Sequence, residues 1–309
     1  MSKPKIVVTN NQDFSQSQRQ RLGSLGDVTY YDSLPKDAEE YLKRVEGADI
    51  ICSGAAGLKD AYPQLKDVYV TLSFVSAAFV DLAVLKKNNV TLSNAPGANR
   101  HAVAEWVMFM TLLMLRRFDA SLNRTDTYRV NGALPPITPG LAGRSMTILG
   151  QGNVGKRVGE LAQAFGMKVN YFKRGDDLHA SVQTADVVVD VLSSNPTTQK
   201  LLDTMFFEAM KQGSYFVTVT RSEIVDEHAM LSALDDGRLA GVASDCGGIL
   251  VGDADDPYYQ KLLHHPKVFV TPHISYNSEM SMQVGNDIMI DNVEAWVKGR
   301  PQNVLGASE

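Results

Sequence analysis

Cysteine is scarce in this chain: Cys52 and Cys246 are the two thiols in 309 residues. They cannot build a disulfide framework, which fits a reducing compartment and gives the cytoplasm as the expected location. Long apolar runs are missing too. No stretch reaches the roughly 18 uninterrupted apolar residues that suggest a spanning helix, and the longest candidate, 103–115, is short and contains Glu105. The opening MSKPKIVVTN runs straight into a strand-like stretch without the apolar core of a signal peptide. No membrane partner is therefore expected. Positive charge is not in excess either. The formal net charge is −5 and no long basic block occurs, so nucleic acid is not an expected partner. His101, His179, His228, His264 and His265 stand at no metal-ligand spacing with acids or thiols, so no metal site is expected.

What the chain does have is alternation. Residues 5–9, 28–31, 49–52, 68–72 and 90–92 read as strands, and 14–25 and 38–45 as helices. Strands alternating with helices argue for a parallel sheet covered on both faces. The first hundred residues thus read as an α/β domain of their own, and the length leaves room for about two domains. Asn94-Ala95-Pro96-Gly97-Ala98-Asn99 stops regular structure. A long helix, apolar on most faces, is expected over 100–117, with a domain hinge near its start.

The most informative stretch follows. Residues 145–149 form a short apolar run, long enough for one buried strand. Gly150-Gln151-Gly152-Asn153-Val154-Gly155 comes next and fits G-x-G-x-x-G. Val154, Val158, Leu161, Ala162 and Phe165 then recur at helical spacing, Gly166 ends the helix, and 168–172 reads as the next strand. Strand, glycine turn, helix and strand together are the context of a dinucleotide site. Gly150 allows the tight turn, Gly152 lets backbone approach a pyrophosphate, and Gly155 lets the helix pack close to the strand. The helix N-terminus, at Asn153 and Val154, offers N–H groups and a positive dipole end to the phosphates.

At the end of that second strand, an acidic residue usually binds the adenosine ribose 2′-OH. Lys173 and Arg174 stand there instead. Two cations suit a 2′-phosphate, Arg through its planar fork, which favours NADP(H). NAD(H) stays open as the alternative, because Asp176 and Asp177 lie just beyond.

Further strands are expected over 187–192, apolar but for Asp190, and over 215–219, 241–244 and 268–271. Helices are expected over 204–210, 226–234 and 278–298. Arg221, Asp245 and His273 fall at or just beyond strand carboxyl ends, where open α/β sheets bind ligands. Taken singly, each is as readily a surface ion pair, a turn-former or a loop histidine.

In order and spacing these segments resemble the D-isomer-specific 2-hydroxyacid dehydrogenases. The resemblance rests on Asn94 to Asn99 with Ala102-Val103-Ala104-Glu105-Trp106, on the glycine turn, on Ser194-Asn195-Pro196-Thr197-Thr198, on Thr220-Arg221 with Val225-Asp226-Glu227, and on Thr271-Pro272-His273-Ile274. It implies two Rossmann-like, doubly wound parallel-sheet domains with the active site in the cleft between them, usually as a homodimer. The implied substrate-binding domain is 1–98 plus 277–309, and the dinucleotide-binding domain 99–276. Arg221 would grip the carboxylate and carbonyl oxygen of a 2-oxo acid, since a guanidinium binds carboxylate bidentately and keeps its charge. His273 would protonate the carbonyl oxygen, histidine being the side chain that titrates near neutral pH. Thr198, Thr220 and Asp245 would lie on the cofactor side. The implied reaction is hydride transfer between NADP(H) and a small 2-oxo acid of the glyoxylate, hydroxypyruvate or pyruvate type.

Two departures from the family pattern stand out. The family places a glutamate three residues after the aspartate aligned as Asp245, where it holds the histidine protonated; this chain has Gly248 there. Reduction is then expected to be slower, or displaced to lower pH, unless Asp253, Asp255 or Asp256 replaces the missing group. The substrate loop also differs, reading Ser76-Ala77-Ala78-Phe79-Val80-Asp81. Backbone N–H groups of Ser76 and Ala77 could still hold a carboxylate, and Phe74 and Phe79 read either as pocket lining or as core. The alternative to an enzyme is a catalytically weak or inactive cofactor-sensing homologue.

Overall fold

The computed structural model describes residues 3–118, 137–220, 223–245 and 257–306, except for the side chains of 257–259. Arg221, Cys246, Gly248, Asp253, Asp255 and Asp256 lie outside the described residues. The chain begins β1 (Lys5–Val8), α1 (Gln16–Leu25), β2 (Asp27–Tyr30), α2 (Ala38–Arg44), β3 (Ile50–Ser53), α3 (Leu58–Ala61), β4 (Tyr69–Leu72), α4 (Leu82–Lys87), β5 (Thr91–Ser93). It continues α5 (Arg100–Leu115), β6 (Ser145–Leu149), α6 (Asn153–Ala164), β7 (Lys168–Phe172), α7 (Leu178–Val182), β8 (Val187–Asp190), α8 (Thr204–Ala209). The last part is β9 (Ser214–Thr218), α9 (Glu227–Asp235), β10 (Leu239–Asp245), α10 (Pro257–His264), β11 (Val268–Thr271) and α11 (Glu279–Val297). Two compact units result, Met1–Asn99 with Asn277–Glu309, and Arg100–Tyr276.

Each unit carries one parallel sheet. The first has the order β2-β1-β3-β4-β5. Alternate side chains of its strands feed opposite faces. Ile6, Val8, Ile50 and Cys52 pack with Leu22, Met289, Ile290 and Val293 from α1 and α11. Val7, Ile51 and Val70 pack with Tyr41, Leu58 and Leu85 on the other side. Both faces are thus covered, as an all-parallel sheet requires. Polar side chains close the carboxyl end of this sheet between β1 and β3. The Thr9 and Ser53 hydroxyls lie 3.2 Å apart, and the Gly54 N–H donates to Asn10 Oδ1 at 3.1 Å.

The second sheet has the order β11-β10-β9-β8-β6-β7. Met146, Ile148, Val187, Val189 and Val217 pack with Met108 and Met114 of α5 and with Val158 and Ala162 of α6. Leu149, Val188, Phe216 and Val242 pack with Phe206 and Phe207 of α8 and with Leu231 and Leu234 of α9. Strand order reverses between β6 and β8, the switch point at which doubly wound sheets open a ligand crevice. No helix among the described residues is long and apolar enough to cross a membrane.

Candidate cofactor and active site

The glycine turn sits at this switch point, between the end of β6 and the start of α6. Gly150 has φ +108°, a conformation that suits glycine. A Cβ on Gly155 would stand 2.0 Å from the Gly150 carbonyl oxygen, so the close approach of helix to turn excludes any side chain. Gly152 differs from both. A Cβ there would meet nothing within 4 Å, so no contact inside the chain demands glycine. That open position lies at the N-cap of α6, where no side chain caps the helix and no acid stands in the first turn. The N–H groups of Asn153, Val154 and Gly155 cannot find partners inside the helix. Bare backbone, free donors and an uncompensated positive helix end suit a pyrophosphate, so the turn fits a dinucleotide.

At the end of β7 the four charged residues divide into two pairs. Asp176 accepts the Lys173 N–H at 2.8 Å, and Asp177 caps α7 by accepting the Ala180 N–H at 3.1 Å. Both acids therefore hold backbone. Lys173 and Arg174 are exposed, and no ion pair engages either side chain among the described residues.

Beside the turn lies a group whose role the sequence did not disclose. Asp190 ends β8 and has no exposed surface. It pairs in register with Leu149 on one side and Thr218 on the other. Its carboxylate accepts the Leu192 N–H at 3.1 Å, the Thr218 hydroxyl at 3.0 Å and the Thr220 hydroxyl. Burial pushes its carboxyl up to about 6, against the pull of those three bonds. Asp190 thus clamps Thr220, the residue immediately before Arg221. Thr198 is likewise occupied inside its own loop: its hydroxyl accepts the Asn195 N–H at 3.0 Å and has its one hydrogen within reach of the Ser193 carbonyl at 2.9 Å and the Asn195 carbonyl at 3.0 Å.

At the other side of the sheet, Asp245 ends β10 and lies in register with Thr271 of β11. It is fully buried, and its carboxylate accepts the Thr271 hydroxyl at 2.6 Å, the Ile274 N–H at 2.9 Å and the Ser275 N–H at 2.9 Å. These bonds bracket His273, which sits at φ +52°. A left-handed conformation costs a non-glycine residue about 1–2 kcal/mol, and the carboxylate holds the neighbours that impose it. His273 Nδ1 is 4.0 Å from Asp245 Oδ2, and the Tyr276 ring centroid is 5.1 Å from the imidazole. Tyr276 was not singled out in the sequence; an aromatic three residues after a candidate histidine was the available signal.

Ser76 and Ala77 belong to the first unit, in the turn after β4 where Val80 N–H donates to the Ala77 carbonyl at 3.0 Å. Phe74 and Phe79 are half-buried and pack against that unit's core, their ring centroids 6.5 Å apart.

The sequence profile of the D-isomer specific 2-hydroxyacid dehydrogenase, NAD binding domain, matches residues 107–275, more than half of the chain. The chain belongs to this family. It is an NAD-binding-domain oxidoreductase of 2-hydroxyacids. Among relatives, this dehydrogenase is 29% identical over 288 residues to a glycerate dehydrogenase of Methylorubrum extorquens, covering 87% of this chain and 89% of the relative. A D-lactate dehydrogenase of Staphylococcus aureus is 23% identical over 305 residues, covering 90% and 92%. In fold it is similar to a glyoxylate reductase from Paecilomyes thermophila (TM-score 0.79, 19% identity, 100% of both chains).

Proposed function

We propose that this dehydrogenase reduces small 2-oxo acids of the glyoxylate, hydroxypyruvate or pyruvate type to D-2-hydroxy acids, with NADP(H) as the preferred cofactor. One observation carries the reading: at the carboxyl ends of one parallel sheet stand an open phosphate turn and a histidine held by a buried carboxylate. The glycerate and glyoxylate named for its relatives support that substrate class.

Gly150, Gly152, Asn153, Val154 and Gly155 hold the pyrophosphate. Lys173 and Arg174 hold the 2′-phosphate, because both nearby acids are committed to backbone and leave the cations to a ligand. Thr198 shapes the loop beside the cofactor, and Thr220 stands at the strand end behind it. When bound, the nicotinamide supplies or takes up a hydride at the substrate carbon. His273 Nε2 gives a proton to the carbonyl oxygen as the carbonyl is reduced, and takes it back in the oxidative direction. The Arg221 guanidinium binds the carboxylate and orients the carbonyl; in the first unit, the Ser76–Ala77 backbone is the candidate carboxylate contact. The unit 1–98 plus 277–309 acts as substrate domain and 99–276 as cofactor domain. The protein works in the cytoplasm as a homodimer; exposed Phe109 on α5 and Phe118 just beyond it support an interface there, and a sedimentation mass of two chains is the expected reading.

The test is a panel of glyoxylate, hydroxypyruvate, pyruvate and phenylpyruvate, each with NADPH and with NADH. Turnover with NADPH and poorer turnover with NADH is expected, the preference being lost in Lys173→Asp, Arg174→Ala. Equal use of both cofactors contradicts the preference. No turnover on any of the four, from protein that binds cofactor, contradicts the reaction. It would favour the cofactor-sensing alternative, to which Gly248 in place of the family glutamate points.

A further inference from the structure

We infer that Asp245 does the work of the absent glutamate: its buried carboxylate sets the backbone of His273 and keeps a proton on Nδ1, leaving Nε2 to face the substrate. The inference rests on the reductase reading and names a positioning residue for it. Four acceptor sites are available on a carboxylate. Three are filled, by the Thr271 hydroxyl and the Ile274 N–H on Oδ1 and by the Ser275 N–H on Oδ2. The remaining site belongs to Oδ2, and Oδ2 is the oxygen 4.0 Å from Nδ1. That separation is an ion-pair distance, longer than a hydrogen bond. Contacts of this kind are often long in the free enzyme and tighten with substrate.

Among the described residues, the hydrogen bonds that Asp245 accepts go to the segment Thr271–Ser275 around the histidine, whereas the sequence placed this residue on the cofactor side. Among the described residues, the titratable groups set against the imidazole are Asp245 from β10 and Tyr276 from its own loop. A buried anion beside one ring nitrogen favours the tautomer with the proton on that nitrogen. In the reductive direction the Nε2–H bond breaks and the substrate O–H bond forms. The electron pair arrives with the hydride of the reduced nicotinamide, and the ring is left neutral with Nδ1–H.

The experiment is nitrogen NMR of histidine-labelled enzyme without substrate, read where the ring is neutral. Wild type is expected to show Nδ1–H at His273. Asp245→Asn puts an amide N–H2 or a weaker oxygen beside the ring and should move the population toward Nε2–H. The same variant should lower kcat on the order of 10²-fold, with KM for NADPH changed less than about threefold. The triple variant Asp253→Asn, Asp255→Asn, Asp256→Asn should leave the tautomer as in wild type. A wild-type ring carrying Nε2–H overturns the inference, and does so even if Asp245→Asn fails to fold. So does loss of Nδ1–H in the triple variant, or an Asp245→Asn enzyme whose only defect is weaker NADPH binding. Nδ1–H in an enzyme that turns over no 2-oxo acid removes the reductase reading and leaves the histidine–aspartate pair standing.

Discussion

Asp190 shows how much one residue can hold at the edge of a site. Its carboxyl lies in no contact with solvent, and burial raises it from an ordinary 3.8 to about 6. A folded state that disfavours the ionised form is most stable, on this account, below the unfolded value. That contribution is lost as pH rises from about 4 through about 6, and amounts to about 3 kcal/mol. Asp190→Asn keeps the shape and removes the ionisation. Urea unfolding of both proteins from pH 4 to pH 8 should show the variant gaining on wild type by up to about 3 kcal/mol. Parallel curves would mean that Asp190 carries no such strain. The charge in an otherwise apolar run was visible in the sequence, but its partners were not. Thr218 and Thr220 reach it because β8 and β9 pair in one particular register, and register is a long-range property that local pattern does not specify. Asp245 teaches the same lesson. Its place at a strand end was legible; its bonds to Ile274 and Ser275 depend on β10 and β11 lying side by side.

At the scale of elements, the strand–turn–helix–strand unit was readable to the residue: β6 and β7 run over Ser145–Leu149 and Lys168–Phe172. β6 is buried from Met146 to Leu149, β7 is an edge strand with Lys168 and Asn170 exposed, and α6 is amphipathic, so period and turn chemistry agree. The short helices α3, α4, α7 and α10 were not read. Each has eight residues or fewer, and α4 and α7 were marked by their capping acids Asp81 and Asp177 alone. The turn itself yields a paired prediction. Gly155→Ala forces a Cβ against the Gly150 carbonyl oxygen and should destabilise the protein by about 3 kcal/mol. Gly152→Ala places its methyl in open space and should change stability by less than about 0.5 kcal/mol, while weakening NADPH binding. Thermal melts with and without NADPH separate the two. A Gly152→Ala protein with unimpaired NADPH binding would show that the open position does not serve the pyrophosphate.

At the scale of the whole molecule, two doubly wound units share one construction and differ at their switch points. In the first, Thr9, Asn10, Ser53 and Gly54 are tied to one another across the end of the sheet. In the second, the corresponding place holds the glycine turn with its bare N-cap. The difference gives a physical reason to assign the nucleotide to the second unit, in line with the family match over residues 107–275. The substrate's identity was the least legible feature, because Ser76 and Ala77 would recognise an acid through backbone, and backbone carries no side-chain signature. In the proposed mechanism His273 moves the proton while the glycine turn holds the cofactor. The most direct measurement is NADPH oxidation with glyoxylate by His273→Ala beside wild type, with NADPH affinity determined for both. Equal affinity and a turnover lower by about 10²–10⁴-fold are expected; equal turnover in the two proteins would rule out that role for His273.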